Sequence, residues 1–429
     1  MRVCLLSYRG NMYCGGQGVY VYYLSKYLAR LGHEVELVQG PPYTWETPWC
    51  REHRLPNYNL FATRKFFYRN LPAKDLFNLF SPCHFYEYAL TRLGFFPEML
   101  TFSFRAYARL AKLWREKPFD IIHDNQTLGF GMLLIQKSFP APVLTTIHHP
   151  LSEDQKADFQ QLRLFEHRLR RAAYYPLLMH RLVVPRLEKV VTVSNTAAAS
   201  VAAAYGIPLS EVAVVYNGVD PELFRPEPSV PKKKNQLIFV GNTEDRKKGV
   251  RYLLEALLYL PKDVNLLVVD GGAPRHVVMA ELLKRFNLGR RVTTTGKIPT
   301  EQLARCYQQS EVFVSPSIYE GFGFPAAEAM ACGLPAVTTD GGALPEVAGK
   351  NGETALVVPK QDARALARAI TLLLNNPGLR QSLAENGRRR VLSMFSWEAA
   401  ARNMVALYQE LIRAKKTGNR KFHFGRVVL

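Results

Sequence analysis

The chain opens on a short apolar run, residues 2–7 (RVCLLS), then turns polar and reaches the glycines of Gly15-Gly16-Gln17-Gly18. Beyond them Tyr20, Leu24, Tyr27, Leu28 and Leu31 recur at helical spacing, Gly32 supplies a C-terminal cap, and Val35 to Val38 form a second apolar run. Strand, glycine loop, helix and strand in that order make a unit whose glycines let the backbone approach a phosphate or a sugar. The alternation continues through β-branched runs at Ile121-Ile122, 143–147, 190–193 and 212–215, as expected of a parallel sheet covered on both faces. This predicts a first domain over residues 1–220.

Residues 221–235 (PELFRPEPSVPKKKN), with four prolines and a lysine run, break the periodicity and read as a linker. The pattern then restarts over 236–396: LIFV before Gly241, NLLVVD before Gly271-Gly272, VTTTG, VFVSPS, and AVTTD before Gly341-Gly342, each followed by a helical stretch. A second doubly wound α/β domain is expected, facing the first across a cleft, with ligands at the C-terminal ends of the strands. A last helix over 397–412 is expected to complete the first domain, and 413–429 to be a basic tail.

Composition narrows this picture. A chain of 429 residues, 48% apolar and 21% charged, suits two globular domains. The N-terminal apolar run is too short for a secretory signal and no long apolar stretch occurs elsewhere, so the chain is expected to be cytoplasmic and not membrane-spanning. Cys4, Cys14, Cys50, Cys83, Cys306 and Cys332 are scattered without CxxC pairs, which points to reduced thiols and no metal site. The net charge of +20 requires an anionic partner: nucleic acid, a phosphate-bearing substrate or an anionic membrane surface.

The most informative stretch is Ser315 to Glu346, SPSIYEGFGFPAAEAMACGLPAVTTDGGALPE. Glu320 and Glu328 flank Gly321-Phe322-Gly323-Phe324, after which a helix is expected to start at Pro325. Backbone N–H groups at a helix N-terminus suit a diphosphate, and two carboxylates separated by a loop can bond different hydroxyls of one elongated ligand. The bland reading is a structural turn with an exposed glutamate.

EGFGFPAAEAMACGLP closely resembles the glutamate-pair motif of glycosyltransferase family four, retaining enzymes of two Rossmann-like domains known as GT-B. The glycine loop at 15–18, TTIHHP, VTVSNTAAASVAAAYGIP, VVYNGVDPELFRP, VGNTEDRKKGVRYLLEAL and TGKIPTEQLARCYQQSEVFVSPS resemble this family's segments in order. The resemblance implies a nucleotide-sugar donor, bound by Gly15, Gly16 and Gln17 in the first domain and by the second domain's loops. Glu328 would bind the ribose, Glu320 with Gly321, Phe322, Gly323 and Phe324 the sugar and diphosphate, and Lys248 the leaving diphosphate. A cation is needed there because bond cleavage leaves extra charge on the phosphate; Lys247 is the neighbour that could be confused with it. His148 would sit beside the sugar, stabilising an oxocarbenium-like transition state, with His149 as the adjacent decoy. No metal and no cofactor are expected, and retention implies same-face attack.

One departure stands out. Where many members carry arginine after the strand glycine, this chain has Asn242, and an amide cannot make the bidentate phosphate contact of a guanidinium. Either Arg246 supplies the missing charge or it is a solvated loop residue.

Between Trp45 and Trp114 aromatic and basic residues crowd together, as in Arg64-Lys65-Phe66-Phe67-Tyr68-Arg69, and Arg168, Arg170, Arg171, Arg181 and Arg186 form a second cluster. Such segments suit a membrane interface and predict a lipid or lipid-linked acceptor, with the protein peripheral on the inner face of the plasma membrane. The alternatives are a core with a solvated basic face, or a soluble saccharide acceptor. No nucleic-acid-binding signature accompanies the charge. A nucleotide-dependent oxidoreductase fits the glycine loop only weakly, since its spacing is not G-x-G-x-x-G and hydride transfer has no use for the glutamate pair. A non-catalytic sugar-nucleotide sensor would not need His148, Glu320 and Lys248 together.

Overall fold

The computed structural model describes residues 1–13, 16–57, 81–93, 95–161, 175–270 and 277–417. Two compact units divide the chain. Among the described residues, unit 1 takes the chain up to Val193, 198–215 and 400–417; unit 2 takes 194–197 and Tyr216–Ala399.

In unit 1 a parallel sheet of seven strands is built from β1 (Arg2–Ser7), β2 (Glu34–Gln39), β3 (Arg51–Arg54), β4 (Ile121–Asn125), β5 (Val143–Thr146), β6 (Lys189–Thr192) and β7 (Val212–Val214), in the order β3-β2-β1-β4-β5-β6-β7. The central strands read as apolar runs because helices cover both faces. The helix Glu98–Glu116 shows how: Phe102, Ala106, Leu110 and Leu113 form one stripe, all buried in the cluster of Cys4, Leu6, Ile122 and Val143. Truncating Phe102 to alanine would remove about 3–5 kcal/mol of this packing. The edge strand β3 (REHR) escapes a hydrophobic-pattern reading because its side chains pair instead of packing: His53 Nε2 lies 2.7 Å from Glu36, which Arg2 also bonds.

Unit 2 holds six parallel strands, β8 (Gln236–Val240), β9 (Asn265–Val269), β10 (Val292–Thr294), β11 (Val312–Ser315), β12 (Ala336–Thr339) and β13 (Leu356–Val358), in the order β10-β9-β8-β11-β12-β13. The 221–235 stretch, expected as a linker, groups with this unit. Phe224 lies edge-on to Tyr307, Val230 is buried, and Lys232 Nζ donates to the Ser310 carbonyl at 2.8 Å. Prolines abolish periodicity, but they do not prevent burial. The final helix, Trp397–Thr417, runs past Ile412, so the first residues assigned to a tail are helical. From Ala400 on it belongs to unit 1, where Tyr408 is fully buried and Lys415 Nζ donates to the Ala141 carbonyl.

Each strand order reverses once, between β1 and β4 in unit 1 and between β8 and β11 in unit 2. At such a reversal the connections leave in opposite directions and open a crevice beyond the strand ends, where open α/β sheets bind ligands.

Candidate active site

In unit 2 the loops leaving β8 and β11 are joined side by side. The Ile318 N–H donates to the Lys247 carbonyl at 2.7 Å, and Gly249, at φ 65°, passes so close to Pro316 that a Cβ there would lie 2.1 Å from its carbonyl oxygen. Only glycine permits this approach. It sets Lys248 against Glu320, with Nζ 2.7 and 2.9 Å from the two carboxylate oxygens, and the Ser317 hydroxyl donates to the same carboxylate at 2.8 Å. Burial alone would push the Glu320 carboxyl up, but the Lys248 charge and these hydrogen bonds hold it below its ordinary value. Lys247 points its ammonium at Asp245, 3.6 Å away.

Gly323, at φ 106°, is the N-cap of the helix Phe324–Ala331, which begins one residue before Pro325. The Phe322 ring is buried edge-on to Phe395 and Phe324 stacks on Trp397, so both rings serve packing and the loop presents backbone. Glu328, on that helix, accepts from the Tyr307 hydroxyl at 3.0 Å. Burial pushes its carboxyl up to about 7, against the opposing effect of that hydrogen bond. Asn242 shapes the β8 loop: its side-chain oxygen accepts from the Glu244 N–H at 3.0 Å. Arg246 opens the 3-10 turn Arg246–Lys248.

In unit 1 the helix Gln17–Arg30 starts after Gly16, at φ 72°, and the Gln17 side chain accepts from Arg9 at 2.9 Å. Gly15 lies outside the described residues. His148 follows β5, buried, with Nε2 2.7 Å from the Asn125 side-chain oxygen and its own N–H donating to Gln126 Oε1 at 2.6 Å. The Tyr20 ring meets it edge-on at 4.9 Å. Burial, helped by the nearby positive charge of Arg9 and by the histidines 149 and 123, lowers the His148 pKa to about 3, so the ring is neutral at physiological pH. His149 is occupied elsewhere, with Nε2 3.0 Å from Asp154.

Sequence reasoning missed Asn125, Gln126, Ser317 and Tyr307. For Asn125 and Gln126 the available signal was a polar stretch directly after the Ile121-Ile122 run. Their loop is also strained: Gln126 and Leu128 hold φ 57° and 51°, a left-handed conformation that costs a side-chain-bearing residue roughly 1–2 kcal/mol. Such cost gathers where function over-determines geometry. Among the described residues no group of three or more His, Cys, Asp or Glu side chains is gathered as a metal ion needs.

The family described as Glycosyltransferase Family 4 matches residues 14–223, and Glycosyl transferases group 1 matches residues 220–390. The MMP alpha-(1->4)-mannosyltransferase of Mycolicibacterium hassiacum is 36% identical over 418 residues, 96% of this chain and 98% of the relative. The D-inositol 3-phosphate glycosyltransferase of Xylanimonas cellulosilytica is 26% identical over 96% of this chain and 95% of its own. Among solved structures, sucrose-phosphate synthase from Thermosynechococcus elongatus superposes with a TM-score of 0.73 at 27% identity, covering 96% of this chain and 99% of that one. With two strand-order reversals, a glutamate pair on the second, and a near-full-length relative at this identity, the chain belongs to the family 4 glycosyltransferases of GT-B fold.

Proposed function

We propose that the enzyme is a retaining, metal-independent hexosyltransferase that uses a nucleotide-diphosphate sugar, with an α-mannosyl donor the first candidate. The observation that carries this reading is the Lys248–Glu320 pair beside the Gly323 helix N-terminus at the β8/β11 reversal. The lysine charge and the helix dipole supply what a departing diphosphate needs, in place of a metal. The donor is assigned to Gly16, Gln17, Lys248, Glu320, the 321–324 backbone and Glu328, and His148 to a sugar hydroxyl. The M. hassiacum relative is named as forming an α-(1→4) bond. From a donor whose sugar is α-linked to diphosphate, such a product means net retention.

In the proposed step the bond from C1 to the diphosphate oxygen breaks, a C1–O bond forms to the acceptor on the same face, and the acceptor's proton passes to the departing phosphate oxygen. An α-(1→4) product makes the acceptor group a sugar 4-hydroxyl, which we place on a lipid-linked carrier at an anionic membrane surface. Support comes from the +20 charge and from Phe85, Leu93, Phe95 and Phe104, all exposed in the 85–104 stretch. No helix among the described residues is long and apolar enough to cross a membrane, so the contact would be peripheral.

The test is a thermal-shift screen with UDP, GDP and ADP, followed by hydrolysis assays of the corresponding sugars. One nucleoside diphosphate should raise the unfolding midpoint by mass action. Stabilisation by none of them, together with no hydrolysis, would overturn the proposal.

A further inference from the structure

The strand-order reversal of unit 1 is bridged by one side chain. Asn125 ends β4 in register with Ser7, which ends β1, and its amide nitrogen donates to Ser7 Oγ at 3.0 Å and to the Gln17 carbonyl at 3.1 Å. A backbone carbonyl can only accept, so the amide nitrogen must face Gln17 and the amide oxygen must face His148. That oxygen, also only an acceptor, lies 2.7 Å from Nε2, so Nε2 must carry the ring proton. The neighbouring amide is oriented by the same logic. The His148 N–H can only donate, so Gln126 presents its oxygen there and its nitrogen to the His149 carbonyl at 2.9 Å. Asn125 is buried at 2% exposure, so water does not compete for these bonds. The second ring nitrogen, Nδ1, makes no hydrogen bond among the described residues.

We infer that Asn125 is a positioning residue for His148: it fixes the ring as the Nε2–H tautomer and so leaves Nδ1 as a lone-pair acceptor for a substrate hydroxyl. Which ring nitrogen carries the proton decides whether histidine gives or takes a hydrogen bond. With Nδ1 as the acceptor, His148 takes the bond and discriminates against a sugar lacking that hydroxyl, because the analogue leaves a polar atom without its partner. The same amide ties His148 to the first residue of the helix after the glycine loop, so the two features are held as one piece.

The substrate-facing half of this inference rests on the role proposed for His148; the tautomer does not. The experiment is nitrogen NMR of the full chain labelled with 15N-histidine, with His148→Gln used to assign the His148 signals among the ten histidines. A protonated Nε2 and bare Nδ1 through neutral pH are expected. Asn125→Ala should lose that preference and lower kcat/KM by roughly tenfold to a hundredfold, the scale on which groups that orient an imidazole act. The unfolding midpoint of Asn125→Ala, measured alongside the spectra, separates loss of the tautomer from a folding defect. A proton on Nδ1 in the unaltered protein, or an Asn125→Ala spectrum identical to it, would overturn the inference. Full turnover in His148→Ala would instead overturn the role of His148, and with it the substrate-facing half, whatever the tautomer.

Discussion

Lys248 Nζ lies 2.7 and 2.9 Å from the two carboxylate oxygens of Glu320, a residue 72 positions away in the chain, across the strand-order reversal of unit 2. The pair is largely buried, so in a diphosphate complex the lysine would act in a medium where its charge is weakly screened.

Lys248→Ala should therefore cut turnover by at least about a hundredfold, the scale for losing one charge stabiliser of a transition state. Lys247→Ala should do much less, since that ammonium is directed at Asp245. Both are to be assayed well below their unfolding midpoints, because removing one partner of a buried pair also costs roughly 3–5 kcal/mol of stability. Equal losses of turnover would move the phosphate contact away from Lys248.

Donor affinity should depend on pH through Glu328. Its carboxyl, raised by burial to about 7, is protonated below that pH and charged above it. Only the charged form offers both oxygens to ribose hydroxyls, so nucleoside diphosphate binding should tighten as pH rises through about 7. Tyr307→Phe deletes the hydrogen bond that favours the charged form and should move the midpoint upward. Calorimetric titrations between about pH 5.5 and 8.5, roughly 1.5 units either side of that value, would show it. A flat profile in the unaltered protein, or an unchanged midpoint in Tyr307→Phe, would refute the assignment.

Activity should survive excess EDTA. Abolition by the chelator, with recovery on adding manganese or magnesium, would show that a metal neutralises the leaving group and that Lys248 and the Gly323 helix end do not suffice.

The protein should partition onto anionic liposomes and leave them as salt rises, because roughly 1 kcal/mol per near-surface cation is screened within a Debye length. Arg64, Lys65 and Arg69, which lie outside the described residues, are the first cluster to change. Converting all three to glutamate should weaken sedimentation with vesicles and leave donor hydrolysis intact. A triple variant that still sediments would shift the contact to Arg168, Arg170 and Arg171, likewise outside the described residues. An unaltered protein that ignores anionic vesicles at low salt would favour a soluble saccharide acceptor.

By itself the sequence determined what local chemistry dictates. Apolar runs such as Ile121-Ile122 and Leu237 to Val240 marked strands, because a doubly covered sheet admits little else. The glycine loops at 15–18 and 321–323 marked stretches of backbone that open onto a helix, and the family motif marked Glu320, Glu328, Lys248 and His148. The pattern was silent on β3, whose edge residues are charged and paired, and on the burial of Phe224 and Val230 inside a proline-rich stretch, since periodicity reports regular backbone and not packing. Only the tertiary structure decided which lysine of Lys247-Lys248 meets Glu320 and which histidine of His148-His149 meets Asn125. Adjacent residues of one type have the same local signature. What separates them is the direction each side chain takes once β8 lies beside β11 and β4 beside β5, and those pairings join segments separated along the chain.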